Sequence, residues 1–336
     1  MRAVITGITG FLGTHLAEHL HKCGDEVLGV CRNQGKATGN RAALFANSMC
    51  DWDLSGHATS GSIPEPTQQI IAEFQPDVIF HFAALSNPKD CGHVTPNALA
   101  MQVNVDGVRT IADFAAGLRV PPRLVFASTG HVYARPMCGA FVHEESLLEP
   151  SRGYGMTKLA AERVLRSAAA EHKLDVVIAR SFQHAGPGQE PRLMLAEWAS
   201  QVAANRPAPI RVFNRDTMID ITDGRDAAAA YRELALHDQS GHVYNIGAGT
   251  CQRTGEILDL LLSEAGAQRE IVELEPGFRR NLIADISRIT EETSWRPRVP
   301  IATTVRDTLD WWKSRIDHAK NRRGESSQAN LKASVS

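Results

Sequence analysis

The feature that most constrains this chain stands at its start. A short apolar run, Arg2–Thr6, leads at once into Gly7, Gly10 and Gly13, and Leu16 and Leu20 then follow one helical turn apart, with Gly24 as a stop signal. The pattern reads as strand, tight glycine turn, helix. Glycine allows the sharp turn and the close approach of backbone amides to a ligand, and a helix N-terminus adds favourable charge for an anion. The same alternation then recurs. Apolar runs at 26–31, 77–84, 123–128 and 175–180 are separated by helical stretches at 67–75, 97–116 and 154–172.

Strands alternating with helices over the first 180 residues imply a parallel sheet covered on both faces, joined by right-handed crossovers. The expected fold class is α/β, a Rossmann-type doubly wound parallel sheet with a smaller C-terminal substrate-binding lobe. After Arg180 the pattern becomes richer in Gly and Pro. The expected division is a dinucleotide-binding domain over 1–180 with returning segments about 213–248, a substrate lobe mainly over 181–315, and a flexible polar tail at 316–336.

Composition removes several classes. The chain has 336 residues and a formal net charge of -2, which leaves no basic field for a phosphate backbone, so no nucleic-acid partner is expected. No run approaches the roughly 18 apolar residues that a membrane span needs. No apolar leader precedes the first strand, and a cytoplasmic location is expected. Six cysteines without a C-x-x-C pair read as reduced thiols, and the 13 histidines show no ligand spacing, so no metal is expected.

The glycine spacing here is G-x-x-G-x-x-G, with Phe11 and Leu12 between the last two glycines. Set behind the first strand of an alternating pattern, it points to a dinucleotide cofactor. The second strand ends in Val30-Cys31-Arg32, with no carboxylate for a ribose 2′-hydroxyl. Arg32 could meet a 2′-phosphate instead, which favours NADP(H) over NAD(H). A solvated surface arginine is the competing reading. Asp51 and Trp52 are candidates for the adenine pocket, and Phe82, Ala83 and Ala84 end a strand where a cofactor can approach closely.

Tyr154 and Lys158 stand four residues apart on a helix and therefore share a face. A nearby ammonium favours phenolate, so such a tyrosine can exchange a proton near neutral pH. Thr129 follows the strand at 123–128, and the carboxyl ends of such strands face the ligand crevice. Its hydroxyl can orient a substrate carbonyl beside Tyr154. Alone, a Y-x-x-x-K spacing is a common surface pair and Thr129 a turn former; together with the glycine loop they form a catalytic set.

The glycine loop, Thr129 and the Tyr154/Lys158 pair together resemble the extended short-chain dehydrogenase/reductase family. Other matching pieces are HFAALS at 81–86, Asn104 within VNVDG, Glu144 and Pro150, AGPGQ at 185–189, ITDGRD at 221–226, VYNIGAG at 243–249 and SWRP at 294–297. The set looks most like the branch of GDP-mannose 4,6-dehydratase and GDP-4-keto-6-deoxymannose reductase. The resemblance implies Thr129, Tyr154 and Lys158 as catalytic residues, Asn104 at the cofactor, and Ser86, Thr129, Gly130, His131, Tyr154 and Gln183 at the substrate. Dehydratases of the family carry a carboxylate just after the Ser/Thr; here those positions are Gly130 and His131, which points toward a reductase or an epimerase. The arginine expected at the substrate diphosphate is Ile219, leaving Arg211, Arg215, Arg279 and Arg280 as replacements.

The resemblance thus implies an NAD(P)H-dependent 4-ketoreductase of a nucleotide-linked, expectedly GDP-linked, 4-keto-6-deoxyhexose. The alternatives are a 4-epimerase with tightly bound NAD, a reductase of a small metabolite without a nucleotide, and a cofactor-binding regulator. A homodimer through the helices near 97–116 and 154–172 is expected from the same family.

Overall fold

In a computed structural model, residues 1–32, 48–56, 62–135 and 141–333 are described, with side chains to residue 318. Seven strands form one parallel sheet in the order Val243–Ile246, Val176–Ser181, β5 (Arg123–Thr129), β4 (Val78–His81), β1 (Arg2–Thr6), β2 (Glu26–Cys31) and β3 (Met49–Asp51). The chain starts at the centre, runs to one edge through β2 and β3, then returns to β4 on the other side of β1. The strand order reverses between β1 and β4, and a crevice at the carboxyl ends of the strands opens at such a reversal.

Side chains alternate across the sheet, as a strand period of two requires. Val4, Ile79, Phe126 and Ile178 face one layer, with Ile71 of α2 (Glu65–Phe74) and residues of the helices described next. Ala3, Ile5, Phe80, Val125 and Val177 face the other, with Leu16 and Leu20 of α1 (Phe11–Lys22) and Tyr231 and Leu234 of the helix Gly224–Leu236. The strands are buried on both faces and therefore read as continuous apolar runs.

The long helix expected over 97–116 is three pieces: α3 (Ala98–Met101), a one-turn π segment (Gln102–Asp106) and α4 (Gly107–Ala116). The extra residue that a π turn inserts rotates the helix face at Asn104. Most alanines of α4 and of α5 (Gly153–His172) are turned toward the sheet, with Ala170 exposed. Ala112, Ala115, Ala161 and Ala168 are buried against the sheet, and the exposed positions include Asp106, Arg109, Asp113, Arg163, Arg166 and Ala170.

Two compact units are distinguished. The first comprises Met1–His184, Gly224–Thr250 and Leu282–Pro297. The returning segments thus begin at Gly224 rather than near 213, and a second return at 282–297 holds only a two-residue strand, Ile283–Ala284, and a short helix, Ser287–Glu292, too brief to stand out in the sequence. The second unit comprises Ala185–Asp223, Cys251–Asn281 and Arg298–Ser336. Its helices Met194–Ala203, Thr254–Ala265 and Ile301–Ala333 enclose Trp198, Leu258 and Leu309. The last of these runs past the expected end near 315. Residues 316–333, which read as a loose tail, take helical backbone; Ala, Lys, Arg, Glu and Gln there are good helix formers, with no proline. Among the described residues no helix is long and apolar enough to cross a membrane, and no group of metal-ligating side chains is assembled.

Candidate active site

The site is built where β1, β4 and β5 end. Gly7 has φ +71°, and a Cβ there would meet the Ala83 amide nitrogen at 2.9 Å. A Cβ at Gly13 would lie 2.4 Å from the Gly7 carbonyl oxygen. The loop is thus closed so tightly on itself and on Ala83 that only hydrogen fits. Helix α1 begins behind it with no side-chain cap and no acidic residue in its first turn. Its amides remain open to an anion, so the cradle fits the pyrophosphate of a dinucleotide. Phe11 packs against His15 at 4.8 Å, and Phe82 against Tyr231 at 4.7 Å. Arg32 is exposed at the end of β2. Asp51 is exposed too, whereas Trp52 is buried in the apolar layer beside His81.

Asn104 is held from both sides. Its carbonyl oxygen accepts from the Leu85 amide at 2.8 Å, and its amide donates to the Leu85 carbonyl and to the Thr157 hydroxyl at 3.1 and 3.0 Å. With both amide protons committed inside the protein and 1% exposure, Asn104 braces the 85–91 loop against α5.

Tyr154 and Lys158 lie on the first two turns of α5. The glycines on either side of Tyr154 let two loops close on this helix end: a Cβ at Gly153 would meet the Cys91 carbonyl at 2.4 Å, and one at Gly155 the His131 carbonyl at 2.3 Å. The Thr129 hydroxyl faces the Tyr154 hydroxyl and accepts from the His131 amide. Burial raises the Tyr154 pKa above the usual range, a Cys91 charge would raise it further, and the Thr129 hydroxyl opposes both. Lys158 is 3% exposed, and its ammonium donates to the Ala127 carbonyl at 2.8 Å over the Phe126 ring. Burial pulls its pKa down to about 8, against Cys91 and Glu162.

His131 stands edge-on to Tyr154, with ring centroids 5.8 Å apart. The protein packed around its imidazole holds it below the usual pKa, with help from Arg135 and Arg152, although part of the ring stays open to solvent. Gly130 packs on the end of the Phe182 ring. Ser86 and Gln183 are exposed. In the second unit Arg211 is exposed, Arg279 stacks on Phe213 at 5.1 Å and pairs with Glu275, and Arg280 stacks on Phe278 at 5.7 Å. Ile219 is 2% exposed in that unit's apolar core. An arginine there would bury a charge among Trp198 and Leu258, so at this position packing has replaced anion binding.

A glycine-cradled parallel sheet with a Thr/Tyr/Lys set at its carboxyl edge defines a nicotinamide-dependent oxidoreductase. Residues 3–247 match the model of the NAD dependent epimerase/dehydratase family, and the chain belongs to that family, the extended short-chain dehydrogenases/reductases. It is 26% identical over 329 residues to a GDP-6-deoxy-D-mannose reductase of Pseudomonas aeruginosa, covering 94% of this chain and 98% of the relative. It is also 26% identical over 341 residues to a UDP-glucose 4-epimerase of Azospirillum brasilense, covering 93% and 92%. Among solved structures, RMD from Pseudomonas aeruginosa complexed with NADPH superposes with a TM-score of 0.76 at 25% identity, over 93% of this chain and 99% of that one.

Proposed function

We propose that this chain is an NAD(P)H-dependent 4-ketoreductase of a nucleotide-linked 4-keto-6-deoxyhexose, with a GDP-linked sugar as the first candidate. The observation that carries the reading is the content of the Thr129–His131 turn. It presents the Thr129 hydroxyl beside Tyr154 and an imidazole, but no carboxylate to drive a 4,6-elimination. The similarity to a GDP-6-deoxy-D-mannose reductase supports the same choice. When bound, the nicotinamide supplies the hydride. Tyr154 gives its phenolic proton to the carbonyl oxygen, Thr129 holds that oxygen in line, and Lys158 carries positive charge beneath the pair. Gly7, Gly10 and Gly13 would hold the pyrophosphate. Arg32 favours NADP(H) over NAD(H) through a 2′-phosphate. Arg279 and Arg280 are the candidates for the substrate phosphates in place of Ile219.

The test is turnover of GDP-, UDP-, dTDP- and CDP-linked 4-keto-6-deoxy sugars with NADPH and with NADH. Oxidation of NADPH with a GDP-linked ketone is expected, and no oxidation with any of the four sinks the proposal. The second reading, a 4-epimerase, rests on the similarity to a UDP-glucose 4-epimerase. An epimerase must retain its cofactor between the two half-reactions. NAD(H) released on denaturing protein purified without added cofactor would favour it.

A further inference from the structure

A charged cluster lies beneath the reacting side chains, outside the chemistry proposed for them. Glu162 and Arg180 are each 1% exposed and form a two-pronged pair, Nε to Oε1 at 3.0 Å and Nη2 to Oε2 at 2.7 Å. The Ser128 hydroxyl donates to Oε1 at 2.5 Å. The remaining guanidinium nitrogen donates to the Tyr133 hydroxyl and the Glu144 carbonyl at 3.1 and 2.9 Å. The exposed Arg166 reaches Oε2 at 3.6 Å. The carboxylate is therefore pinned from α5, β5 and the strand Val176–Ser181 at once. A buried pair of this kind is weak evidence for stability, because apolar residues of the same volume often serve as well. Its position suggests another role.

Tyr154, Lys158 and Glu162 follow one another at intervals of four residues, so they line one face of α5. The groups that face Lys158 can be taken element by element. On α5 they are Tyr154 and Glu162, and on β5 the Phe126 ring and the neutral Ala127 carbonyl. On β4 there is His81, which burial keeps neutral, and on the loop after β4 there is Cys91, whose thiol burial also keeps neutral. Among these described residues Glu162 is the one standing anion. Without it the ammonium would face an aromatic ring, a carbonyl dipole and uncharged neighbours, with the Arg180 guanidinium left unpaired behind them.

We propose that Glu162 is a positioning residue that keeps Lys158 protonated beneath Tyr154, its own carboxylate held in place by Arg180 and Ser128. The assignment rests on the reading in which Lys158 works with Tyr154. It explains why a fully buried pair is tied to the end of the strand that carries Thr129. It also fits a lysine that burial has brought close to neutral pH, where a single neighbouring charge decides its state.

The test is the titration of Lys158 in the full chain, followed by NMR of ε-13C-labelled lysine and assigned with Lys158→Met. The wild type should titrate near pH 8. In Glu162→Gln the midpoint should fall by about one pH unit or more. The Glu162→Gln/Arg180→Gln pair removes both charges, and its midpoint should fall less, in the same direction; it is read alone if the single variant does not fold. A Lys158 midpoint at the wild-type pH in either folded variant overturns the assignment. The titration needs no sugar substrate, so its outcome is separate from that of the turnover panel.

Discussion

Tyr154 sits where burial opposes its ionisation and one hydroxyl, Thr129, favours it. Its proton is therefore held until a developing oxyanion accepts it, as a general acid requires. Tyr154→Phe should lower turnover by about 10²–10⁴-fold and leave NADPH affinity within about twofold, read by single-turnover kinetics and by fluorescence titration. Unchanged turnover removes the tyrosine from the mechanism. A second residue, His81, gives a pH signature. The Thr6 hydroxyl accepts from the Ala83 amide and is hydrogen-bonded to His81 Nδ1 at 2.9 Å. Nε2 of the ring has no hydrogen-bond partner. Burial, with Lys158 nearby, drops the imidazole pKa to about 3 from 6.5. The unfolded chain thus binds one more proton between pH 6.5 and 3. Stability is complete above about 6.5 and falls as the pH drops through that window, by up to roughly 1.4 kcal/mol per pH unit from this group. Urea unfolding of wild type and His81→Gln at pH 7, 5 and 4 reads the slope. Equal slopes in the two proteins would show that His81 contributes none of it.

At the scale of elements, the sheet and the catalytic helix were open to sequence reasoning because each rests on a short-range signal. Buried strands show as apolar runs, the glycine turn as spacing, and Tyr154 and Lys158 as a four-residue interval. Three features were not. The π segment adds a single residue to one turn, too small a phase change to mark the hydrophobic period over 97–116. The role of Asn104 depends on partners 19 and 53 residues away. Glu162 and Arg180 read as two ordinary charges until α5 and the strand Val176–Ser181 bring them together. The π segment also makes a prediction. If Asn104 is a brace, Asn104→Ala leaves the Leu85 amide and the Thr157 hydroxyl without their partner and should cost about 1–3 kcal/mol in urea unfolding, with little loss of NADPH affinity. The opposite pattern, weaker binding at full stability, would return Asn104 to the cofactor. The glycine loop predicts the reverse balance. In Gly13→Ala the added methyl meets the Gly7 carbonyl, so NADPH binding should be lost even if helix α1 survives, read by the same fluorescence titration.

For the whole molecule, the expected homodimer through these helices cannot rest on their alanines, most of which pack against their own sheet. What these helices present outward is charge, acidic at Asp106 and Asp113 and basic at Arg109, Arg163 and Arg166, with Leu99 and Met101 exposed on α3. A two-fold axis sets the same patch against itself, so a stable pairing must bring unlike charges of the two copies together around those apolar side chains. The formal net charge of -2 imposes little long-range repulsion on two copies. The expected particle is a dimer at micromolar concentration that weakens as salt rises from about 0.1 to 1 M, because the Debye length shrinks from about 10 Å to about 3 Å over that range. Leu99→Lys/Met101→Lys should add like charges at the centre of the contact and yield monomers that still bind NADPH. Sedimentation velocity of wild type and variant at low and high salt decides it. A wild-type monomer at every concentration up to about 100 µM, or a dimer indifferent to both salt and the paired lysines, would place any self-association on another surface.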